Sequence, residues 1–210
     1  MSSPIAVYGG GGHGRVVIDA LRLAGRYDPV AVLDPARSGA VDGVPVRGDD
    51  AAAALRAAGV EAAVIAAGSV GDPALRRRLY AKALSVGFTL PAIVHPQASV
   101  AATASLSPGC FVAAGAVVGP GARLGVCVIV NSNAVVDHDC ALGDFVHVAP
   151  GAALSGDVVA GDDVHVGTGA CVVQGLHIGA GSIVGAGAAV VADVPEGAVA
   201  VGVPARTRPR

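Results

Sequence analysis

The feature that most constrains this chain is an apolar residue that returns at every sixth position from Val94 to Val190. Sixteen of the seventeen residues in this register are Val, Leu or Ile, and the exception is Ala160. A second register, four residues further on, holds small or β-branched residues such as Ala98 and Cys110. A period of six matches neither an α-helix nor a simple strand, and repeats this short indicate a β-solenoid.

The period also predicts the geometry of this solenoid. Each hexad supplies a short strand and a corner, so three hexads form one triangular coil and residues 18 apart lie above one another. At about 4.8 Å between stacked strands, the five to six coils form a prism roughly 25 Å long. The two apolar registers fill the interior of this prism, and Gly, Asn and Asp occupy its tight corners.

The residues before the repeat have the pattern of a small α/β unit. Strand and helix patterns alternate there, which predicts a parallel sheet with a ligand crevice at the carboxyl edge of its strands. We therefore divide the chain into two domains, residues 1–94 and residues 95–210. The predicted strands are 5–8, 29–33, 44–46 and 62–66, and the predicted helices are 15–24, 49–58 and 73–86.

A glycine-rich loop, GGGGHG at residues 9–14, follows the first predicted strand, and Asp34 ends the second. This is the outline of a dinucleotide fingerprint. The α/β unit, however, is only half the size of a dinucleotide fold. A half-fold accommodates a single nucleotide, with a phosphate at the helix N-terminus where unpaired N–H groups and the helix dipole favour an anion. A tight structural turn is the alternative interpretation of the loop.

One histidine of the coil lies between two acids, in the triplet Asp137, His138 and Asp139. A neighbouring carboxylate fixes the tautomer of an imidazole and raises its pKa by stabilising the imidazolium. His138 is therefore a candidate general base. The alternative is a surface histidine on a corner rich in acids.

The 18-residue rule predicts neighbours for this histidine that sequence distance hides. Gly156 should lie one coil away from His138, with a backbone N–H that suits an oxyanion donor. His147 lies half a coil further round, on another face, so His138 and His147 can share a site only across a subunit boundary. His165 should stack on His147, so one of these two can be merely structural.

The chain also carries, in order, the segments VYGGGGHGRVV, VLDP, IAAGSVGDPALRRRLY, NSNAVVDHDCALGDFVHVAPGA and GVPAR. In these segments it resembles the hexapeptide-repeat acetyltransferases of nucleotide-linked 4-amino-4,6-dideoxy sugars, of the bacillosamine and perosamine N-acetyltransferase type. Sialic acid O-acetyltransferases are more distant. The resemblance implies an α/β half-Rossmann-like domain followed by a left-handed parallel β-helix. It also implies a homotrimer with acetyl-CoA in a groove between neighbouring subunits.

The resemblance further implies which residues serve each ligand. Asp139 would orient His138, and His147, Gly156 and Arg206 would contact acetyl-CoA. Arg206 belongs to a group of three terminal arginines, Arg206, Arg208 and Arg210, for which a frayed tail is the alternative. Asn131 is also counted as substrate-binding, although a corner role fits it equally. The implied nucleotide-sugar positions are Gly11, Gly12, His13, Gly14, Asp34, Gly68 and Ser69.

Two departures from the family leave the nucleotide base open. Some relatives have paired acids after the second strand, where this chain has Asp34-Pro35, and two extra residues follow Gly68. The function implied is transfer of the acetyl group of acetyl-CoA to the 4-amino group of a sugar of the GDP-perosamine or UDP-bacillosamine precursor type. The alternatives are a sugar O-acetyltransferase and a non-catalytic trimeric scaffold that binds nucleotides.

Composition excludes several other classes. The net charge of −2 offers no basic field for nucleic acid. Two long stretches without charged residues have the six-residue rhythm and embedded Gly and Pro, which argues against a membrane span. Nothing at the N-terminus resembles an export signal, so we expect a soluble, cytoplasmic protein. We expect no metal site and no disulfide, but buried thiols, at Cys110, Cys127, Cys140 and Cys171.

Overall fold

The computed structural model describes residues 2–209 and shows an N-terminal α/β unit joined to a coil of stacked strands. In the α/β sheet, the first strand pairs in parallel with the second and the fifth, and the second pairs in parallel with the fourth. The strands are β1 (Ser3–Tyr8), β2 (Tyr27–Leu33), β3 (Ala40–Val41), β4 (Val44–Arg47) and β5 (Ala62–Ile65). The helices are α1 (Gly12–Ala24), α2 (Ala51–Ala57) and α3 (Ala74–Val86).

Two details of this unit differ from the sequence-based expectation. Helix α1 begins at Gly12 within the glycine loop, since Arg15 N–H already donates to the Gly11 carbonyl at 3.2 Å. The short strand β3 was not predicted, and it pairs antiparallel with β4. Asp42 and Gly43 connect these two strands with φ values of 45° and 81°. This is the backbone of the two-residue Asp-Gly hairpin, a signal that was present in the sequence.

The predicted coil is confirmed as a left-handed parallel β-helix. Its strands have two residues each and form three sheets, which we call the first, second and third faces in chain order. The register is 18 residues throughout, as in the pairing of Val118 with Val136 and of Val136 with Leu154. The first face contains β6 (Ile93–Val94), β9 (Phe111–Val112), β12 (Ile129–Val130), β15 (His147–Val148), β18 (His165–Val166) and β21 (Ile183–Val184). The second face contains β7 (Ser99–Val100), β10 (Val117–Val118), β13 (Val135–Val136), β16 (Ala153–Leu154), β19 (Cys171–Val172) and β22 (Ala189–Val190). The third face contains β8 (Ser105–Leu106), β11 (Arg123–Leu124), β14 (Ala141–Leu142), β17 (Val159–Ala160) and β20 (His177–Ile178).

Both predicted apolar registers fill the interior of the prism. Val136, Leu154 and the small residue Ala152 are completely buried in one continuous core. Cys110 and Cys140 occupy the small register and are buried there, as predicted. Cys171 is exposed, so the prediction of a buried thiol was wrong for it. It lies one position before the interior residue of its strand, and alternation turns it outward.

The α/β unit docks on the first face of the coil. Outward-facing Ile93, Phe111 and Ile129 of that face pack in one cluster with Ile5 and Val17. These residues carry the apolar surface that joins the two units. His147 and His165 continue the same outward column along the face.

Helix α3 docks on the corner between the third and first faces. Cys127, Phe145 and Asp163 occupy this corner in successive coils, all with positive φ. Arg77 forms an ion pair with Asp163 at 2.8 Å, and its guanidinium lies 4.3 Å from the centroid of the Phe145 ring. Tyr80 packs edge-to-face on the same ring. The N-terminal unit is thereby held against one side of the prism.

The chain continues past the last coil as a hairpin of β23 (Ala198–Gly202) and β24 (Ala205–Pro209), attached to the first face through β21. Arg206 and Arg208 lie on β24, so the frayed tail is not what the structure shows, and Arg210 lies outside the described residues. Within residues 2–209 no helix has the length and apolarity needed to cross a bilayer.

Candidate active site

His138 lies at the corner between the second and third faces, where the coil turns from β13 to β14. Its Nδ1 is 3.0 Å from Asp139 Oδ2, while Asp137 accepts a hydrogen bond from the backbone N–H of His138 at 2.7 Å. Asp139 adopts a φ of 58°, a left-handed conformation that places its carboxylate beside the ring. Of the two flanking acids, Asp139 is therefore the one that orients the imidazole.

This environment raises the pKa of His138. The main cause is the hydrogen bond to Asp139, and the charges of Asp137 and Asp157 add to it. Because a carboxylate can only accept, the ring carries its proton on Nδ1 and presents Nε2 as a proton acceptor. The side chain is 46% exposed, so Nε2 belongs to a group that a ligand or a neighbouring chain can reach.

Gly156 lies one coil from His138, as the 18-residue rule predicted. Asp157 N–H donates to the His138 carbonyl at 2.9 Å, and the imidazole lies directly over Gly156. A Cβ added at Gly156 would overlap Nε2 of His138, so only glycine leaves the ring in this place. The backbone N–H of Gly156 donates to no acceptor within residues 2–209.

A cavity of about 580 Å³ lies at the carboxyl edge of the N-terminal sheet. Its lining includes Gly11, Gly12, His13, Asp34 and Gly68, five of the predicted nucleotide-sugar residues. Gly11 and Gly12 form the N-terminus of α1, where backbone N–H groups lack partners within the helix. This edge is thus able to bind an anion.

Asp34 is held in place by the backbone around this cavity. One of its oxygens accepts from Gly10 N–H at 2.9 Å and the other from Ala36 N–H at 3.0 Å. Arg37 lies beside it, with Nε 3.6 Å from Oδ2. Each carboxylate oxygen keeps a lone pair, which can accept from a ligand hydroxyl.

His13 is neutral at physiological pH because burial lowers its pKa to about 4, with the charge of Arg76 adding to the effect. Its ring packs edge-to-face on Phe111, with centroids 5.3 Å apart. Its Nε2 is buried and has no hydrogen-bond partner among the described residues. A ligand in the cavity can supply the partner that this nitrogen lacks.

Two residues predicted to bind substrate, Gly14 and Ser69, do not line this cavity, and their assignment stays a prediction. Gly14 does not line the cavity, because it packs beneath the loop where a Cβ would overlap the Gly9 carbonyl. Ser69 faces the coil, with its Oγ accepting from Arg76 at 3.1 Å and its carbonyl accepting from His147. Their roles in this structure are to pack and to connect.

His147 is buried on the first face with both ring nitrogens occupied. Nδ1–H donates to the Ser69 carbonyl at 2.8 Å, and Nε2 accepts from the Asn131 side-chain amide at 3.2 Å. Burial lowers the pKa of His147 to about 3. His165 lies one coil away, as predicted, and packs edge-to-face on His147 with ring centroids 5.1 Å apart; burial lowers the pKa of His165 as well. His147 can therefore touch a ligand with its ring, whereas a new hydrogen bond would require it to lose an existing one.

A groove of about 270 Å³ runs along the first face beside these two histidines. Val70, His147, His165 and Thr168 are among its lining residues. Asn131 supports His147 from behind and does not line the groove. Arg206 is exposed on β24, further along the same sheet, with its Nη1 donating to the Ala205 carbonyl at 3.1 Å.

The structure does not bring all predicted site residues together within one chain. The corner that carries His138 lies opposite the first face, on which His147, the groove and the N-terminal cavity are arranged. His138, Asp139 and Gly156 form one cluster, and the remaining candidates form a second. Among residues 2–209, no group of three His, Cys, Asp or Glu side chains could hold a metal ion.

Sequence analysis overlooked Arg76 in the second cluster. It is only 1% exposed and contacts both Ser69 and the Cys127 carbonyl. It belongs to a run of three arginines on α3, which is the usual pattern of a solvated face. Nothing in the run identifies the one arginine that faces inward.

Comparison with known proteins agrees with this architecture. Residues 4–83 match the family model of the PglD N-terminal domain. A His-to-Asn mutant of perosamine N-acetyltransferase from Caulobacter crescentus, solved with CoA and GDP-perosamine, is 41% identical, covering 99% of this chain and 98% of its own, with a TM-score of 0.94. The acetyltransferase domain of PglB from Neisseria gonorrhoeae FA1090 in complex with acetyl coenzyme A is 39% identical, covering 99% and 100%, with a TM-score of 0.90.

A third solved structure, WeeI from Acinetobacter baumannii AYE, is 28% identical over 99% of this chain, with a TM-score of 0.77. No curated protein sequence matches the chain. The identity of 41% to the perosamine N-acetyltransferase nevertheless extends over nearly all of both chains. This chain therefore belongs to the acetyl-CoA-dependent, hexapeptide-repeat sugar N-acetyltransferases, the family of perosamine N-acetyltransferase and of the PglB acetyltransferase domain.

Proposed function

We propose that this protein transfers the acetyl group of acetyl-CoA to the 4-amino group of a nucleotide-linked 4-amino-4,6-dideoxy sugar. The observation that carries the proposal is the His138–Asp139 pair over Gly156, in a chain 41% identical to an enzyme solved with CoA and GDP-perosamine. In this proposal residues 1–94 bind the nucleotide sugar, and residues 95–210 bind acetyl-CoA and supply the base. The cytoplasmic location remains a prediction from the sequence.

His138 acts as the general base in this proposal. Its Nε2 accepts a proton from the sugar amine while the nitrogen attacks the thioester carbonyl, and Asp139 stabilises the imidazolium that forms. The free N–H of Gly156 donates to the developing oxyanion. The carbon–sulfur bond then breaks, CoA leaves as the thiolate, and His138 returns the proton to it.

The transfer is direct, without an acetyl-enzyme. Cys140 lies only two residues from His138, but it is completely buried and its thiol donates to the Ser155 carbonyl at 3.2 Å. Burial also raises its pKa, which disfavours the nucleophilic thiolate. Within the described part of the chain, no accessible thiolate thus lies beside the base.

The active unit in this proposal is a homotrimer with its sites between protomers. Within one chain, His138 lies on the corner opposite the face that carries the N-terminal cavity. A second protomer, packed in parallel about a threefold axis, can bring its own His138 corner to that face. Each site then combines His138 and Gly156 of one protomer with the nucleotide-sugar cavity of the next.

The other candidate residues take supporting roles. Gly11, Gly12 and His13 receive the phosphates and the adjoining sugar, and Asp34 accepts from the ribose. Acetyl-CoA lies along the groove past the rings of His147 and His165, with its nucleotide end towards Arg206. An arginine beyond the last coil suits a phosphate partner.

The direct test is release of CoA thiol from acetyl-CoA in the presence of purified GDP-, UDP- and dTDP-linked 4-amino sugars. We expect release with at least one of them, and a product whose amide is stable to mild base. A base-labile ester would show O-acetylation instead. No thiol release with any 4-amino sugar, from protein that binds both ligands, would contradict the proposal.

Complementation tests the position of the site. His138→Ala and His13→Ala protomers, each inactive alone, are mixed, dissociated and reassembled. If His138 and the cavity of one site come from different protomers, some mixed trimers contain an intact site and activity returns. Failure to recover, with mixed trimers shown to form, would mean that each site lies within one chain.

A further inference from the structure

Among residues 2–209, Arg76 is the largest side chain that is completely buried. No carboxylate pairs with it among the described residues, unlike the adjacent Arg77, which pairs with Asp163. A buried guanidinium without an acid is costly unless other groups satisfy its N–H donors. The groups to which Arg76 donates its hydrogen bonds therefore indicate its role.

The partners of Arg76 belong to both units of the chain. Nη1 donates to Ser69 Oγ at 3.1 Å, in the loop after β5, and Nη2 donates to the Cys127 carbonyl at a corner of the coil. The guanidinium also lies 5.7 Å from the Phe145 ring centroid. Arg76 therefore fastens the loop that contains Ser69 to the coil.

A chain of hydrogen bonds with one possible direction continues from this loop. Backbone N–H of Ser132 can only donate, and it donates to Asn131 Oδ1 at 2.8 Å, so the Asn131 amide nitrogen faces His147. The Ser69 carbonyl can only accept, so His147 carries its proton on Nδ1. The Ser69 carbonyl and the Asn131 amide thus both favour the Nδ1–H tautomer of His147, and a shift of the carbonyl removes one of these two constraints.

The same loop separates the two candidate ligand sites. Ala67 and Gly68 line the N-terminal cavity, while Val70 lines the groove on the first face. Ser69 lies between them and is the point at which Arg76 and His147 meet the loop. We call residues 67–70 the bridging segment.

We propose that Arg76 is a positioning residue. It fixes the bridging segment, which lines both ligand sites, and through the Ser69 carbonyl it holds His147 in the Nδ1–H tautomer. It touches neither the base nor the reacting atoms. The kinetic part of this proposal rests on the proposed function, whereas the tautomer of His147 can be measured in the protein alone.

The test compares Arg76→Gln with Arg77→Gln, the same chemical change at the next position of α3. Arg77 docks α3 on the same corner through Asp163 and Phe145, but has no bond to Ser69. Nitrogen-15 NMR of histidine-labelled protein at pH 7.5 reports which ring nitrogen of His147 carries the proton. We expect the Nδ1–H form in the natural protein and in Arg77→Gln, and a mixture with the Nε2–H form in Arg76→Gln.

Steady-state kinetics supply the second readout. Loss of hydrogen bonds from a charged group predicts a KM increase of roughly 10- to 100-fold for acetyl-CoA and the nucleotide sugar in Arg76→Gln. We expect kcat at saturation to stay within about threefold, since the His138 corner is untouched. Arg76→Lys keeps the positive charge but not the planar guanidinium with its two terminal nitrogens. Its KM values should therefore lie between those of the natural protein and those of Arg76→Gln.

If Arg76→Gln does not fold, Ser69→Ala replaces it, because this change removes the Oγ that Arg76 holds and keeps the carbonyl. The same tautomer mixture in Ser69→Ala would support the proposal. A folded Arg76→Gln or Ser69→Ala that keeps the pure Nδ1–H form would overturn it, whatever the activity. Altered tautomer with no thiol release in the natural protein would leave the positioning role standing and contradict only the proposed function.

Discussion

Histidines serve in two contrasting environments of this molecule. At the corner between the second and third faces, His138 is exposed and surrounded by Asp137, Asp139 and Asp157, which together raise its pKa. At the junction of the two units, His13 and His147 are desolvated and lie near the charge of Arg76, which lowers their pKa values to about 4 and about 3. The same side chain thus becomes a proton acceptor in one region and a neutral hydrogen-bonding group in the other.

The difference shows what each region is built to do. A general base must exchange protons with water and substrate near physiological pH, so it requires exposure and a carboxylate. A wall that positions ligands requires groups whose protonation does not change in that range. Burial without a carboxylate provides this stability of charge at the junction.

The largest expected effect concerns the base. His138→Asn should lower kcat by roughly 10²–10⁴-fold and leave the KM for acetyl-CoA nearly unchanged, because it removes a proton acceptor and no binding surface. His177→Asn is the matched control, since His177 is also exposed on the coil but lies on strand β20 and not at the His138 corner. Near-normal turnover in His138→Asn, measured by thiol release, would remove His138 from the mechanism.

The buried histidines at the junction of the two units should make the stability of the protein depend on pH. With folded pKa values of about 4 and about 3 for His13 and His147, the unfolded state binds more protons than the folded state below about pH 6.5. The free energy of unfolding should therefore fall by on the order of a few kcal/mol between pH 7 and pH 4.5. Urea unfolding over this range measures the slope.

His147→Asn isolates one contribution to that slope. In this variant the free energy of unfolding should fall less steeply as the pH is lowered, by about the contribution of one titrating group. This change of slope is independent of the effect of the substitution on absolute stability. An equal slope in the natural protein and in His147→Asn would show that His147 is not a buried neutral histidine.

A smaller effect is expected at the orienting acid. Asp139→Asn removes the main cause of the raised His138 pKa, so the acidic limb of the kcat/KM profile should move to lower pH. At its optimum the variant should lose about tenfold in kcat/KM, less than the roughly 10²–10⁴-fold of a complete acid–base contribution, because the base itself is still present. The sugar amine titrates identically with both enzymes, so any shift reports the enzyme. If the acidic limb of the kcat/KM profile does not move, its pKa belongs to the sugar amine and not to His138.

The smallest effect is expected at Cys140. Cys140→Ala should keep full activity and lose about 1 kcal/mol of stability, because it removes a buried sulfur and leaves a small cavity. Thermal unfolding and thiol release measure the two quantities. Mass-spectrometric capture of an acetyl group on Cys140 would overturn direct transfer.

The coil and the base could be predicted because their determinants repeat along the sequence. A six-residue period fixes which residues are 18 apart, and so placed Gly156 beside His138 and His165 beside His147. The flanking acids of His138 are its sequence neighbours, although only the structure shows that Asp139 contacts the ring. Local pattern was sufficient for the stacked pairs, whereas the choice between the two flanking acids required the structure.

The junction could not be predicted because its contacts depend on how two units dock. Ser69 and His147 are 78 positions apart, and Arg76 and Cys127 are 51 apart, with no periodicity to relate them. The glycines of the N-terminal loop illustrate the same limit. Gly12 lines the cavity whereas Gly14 packs beneath it, and a fingerprint gives both the same weight.

The most direct test of this account is a titration of the individual histidines by nitrogen-15 NMR, assigned with single His-to-Asn variants. We expect His138 to titrate with a pKa above its ordinary value of about 6.5, whereas His13 should titrate only near pH 4 and His147 only near pH 3. A His147 that titrates near 6.5, or a His138 that titrates below it, would contradict the account.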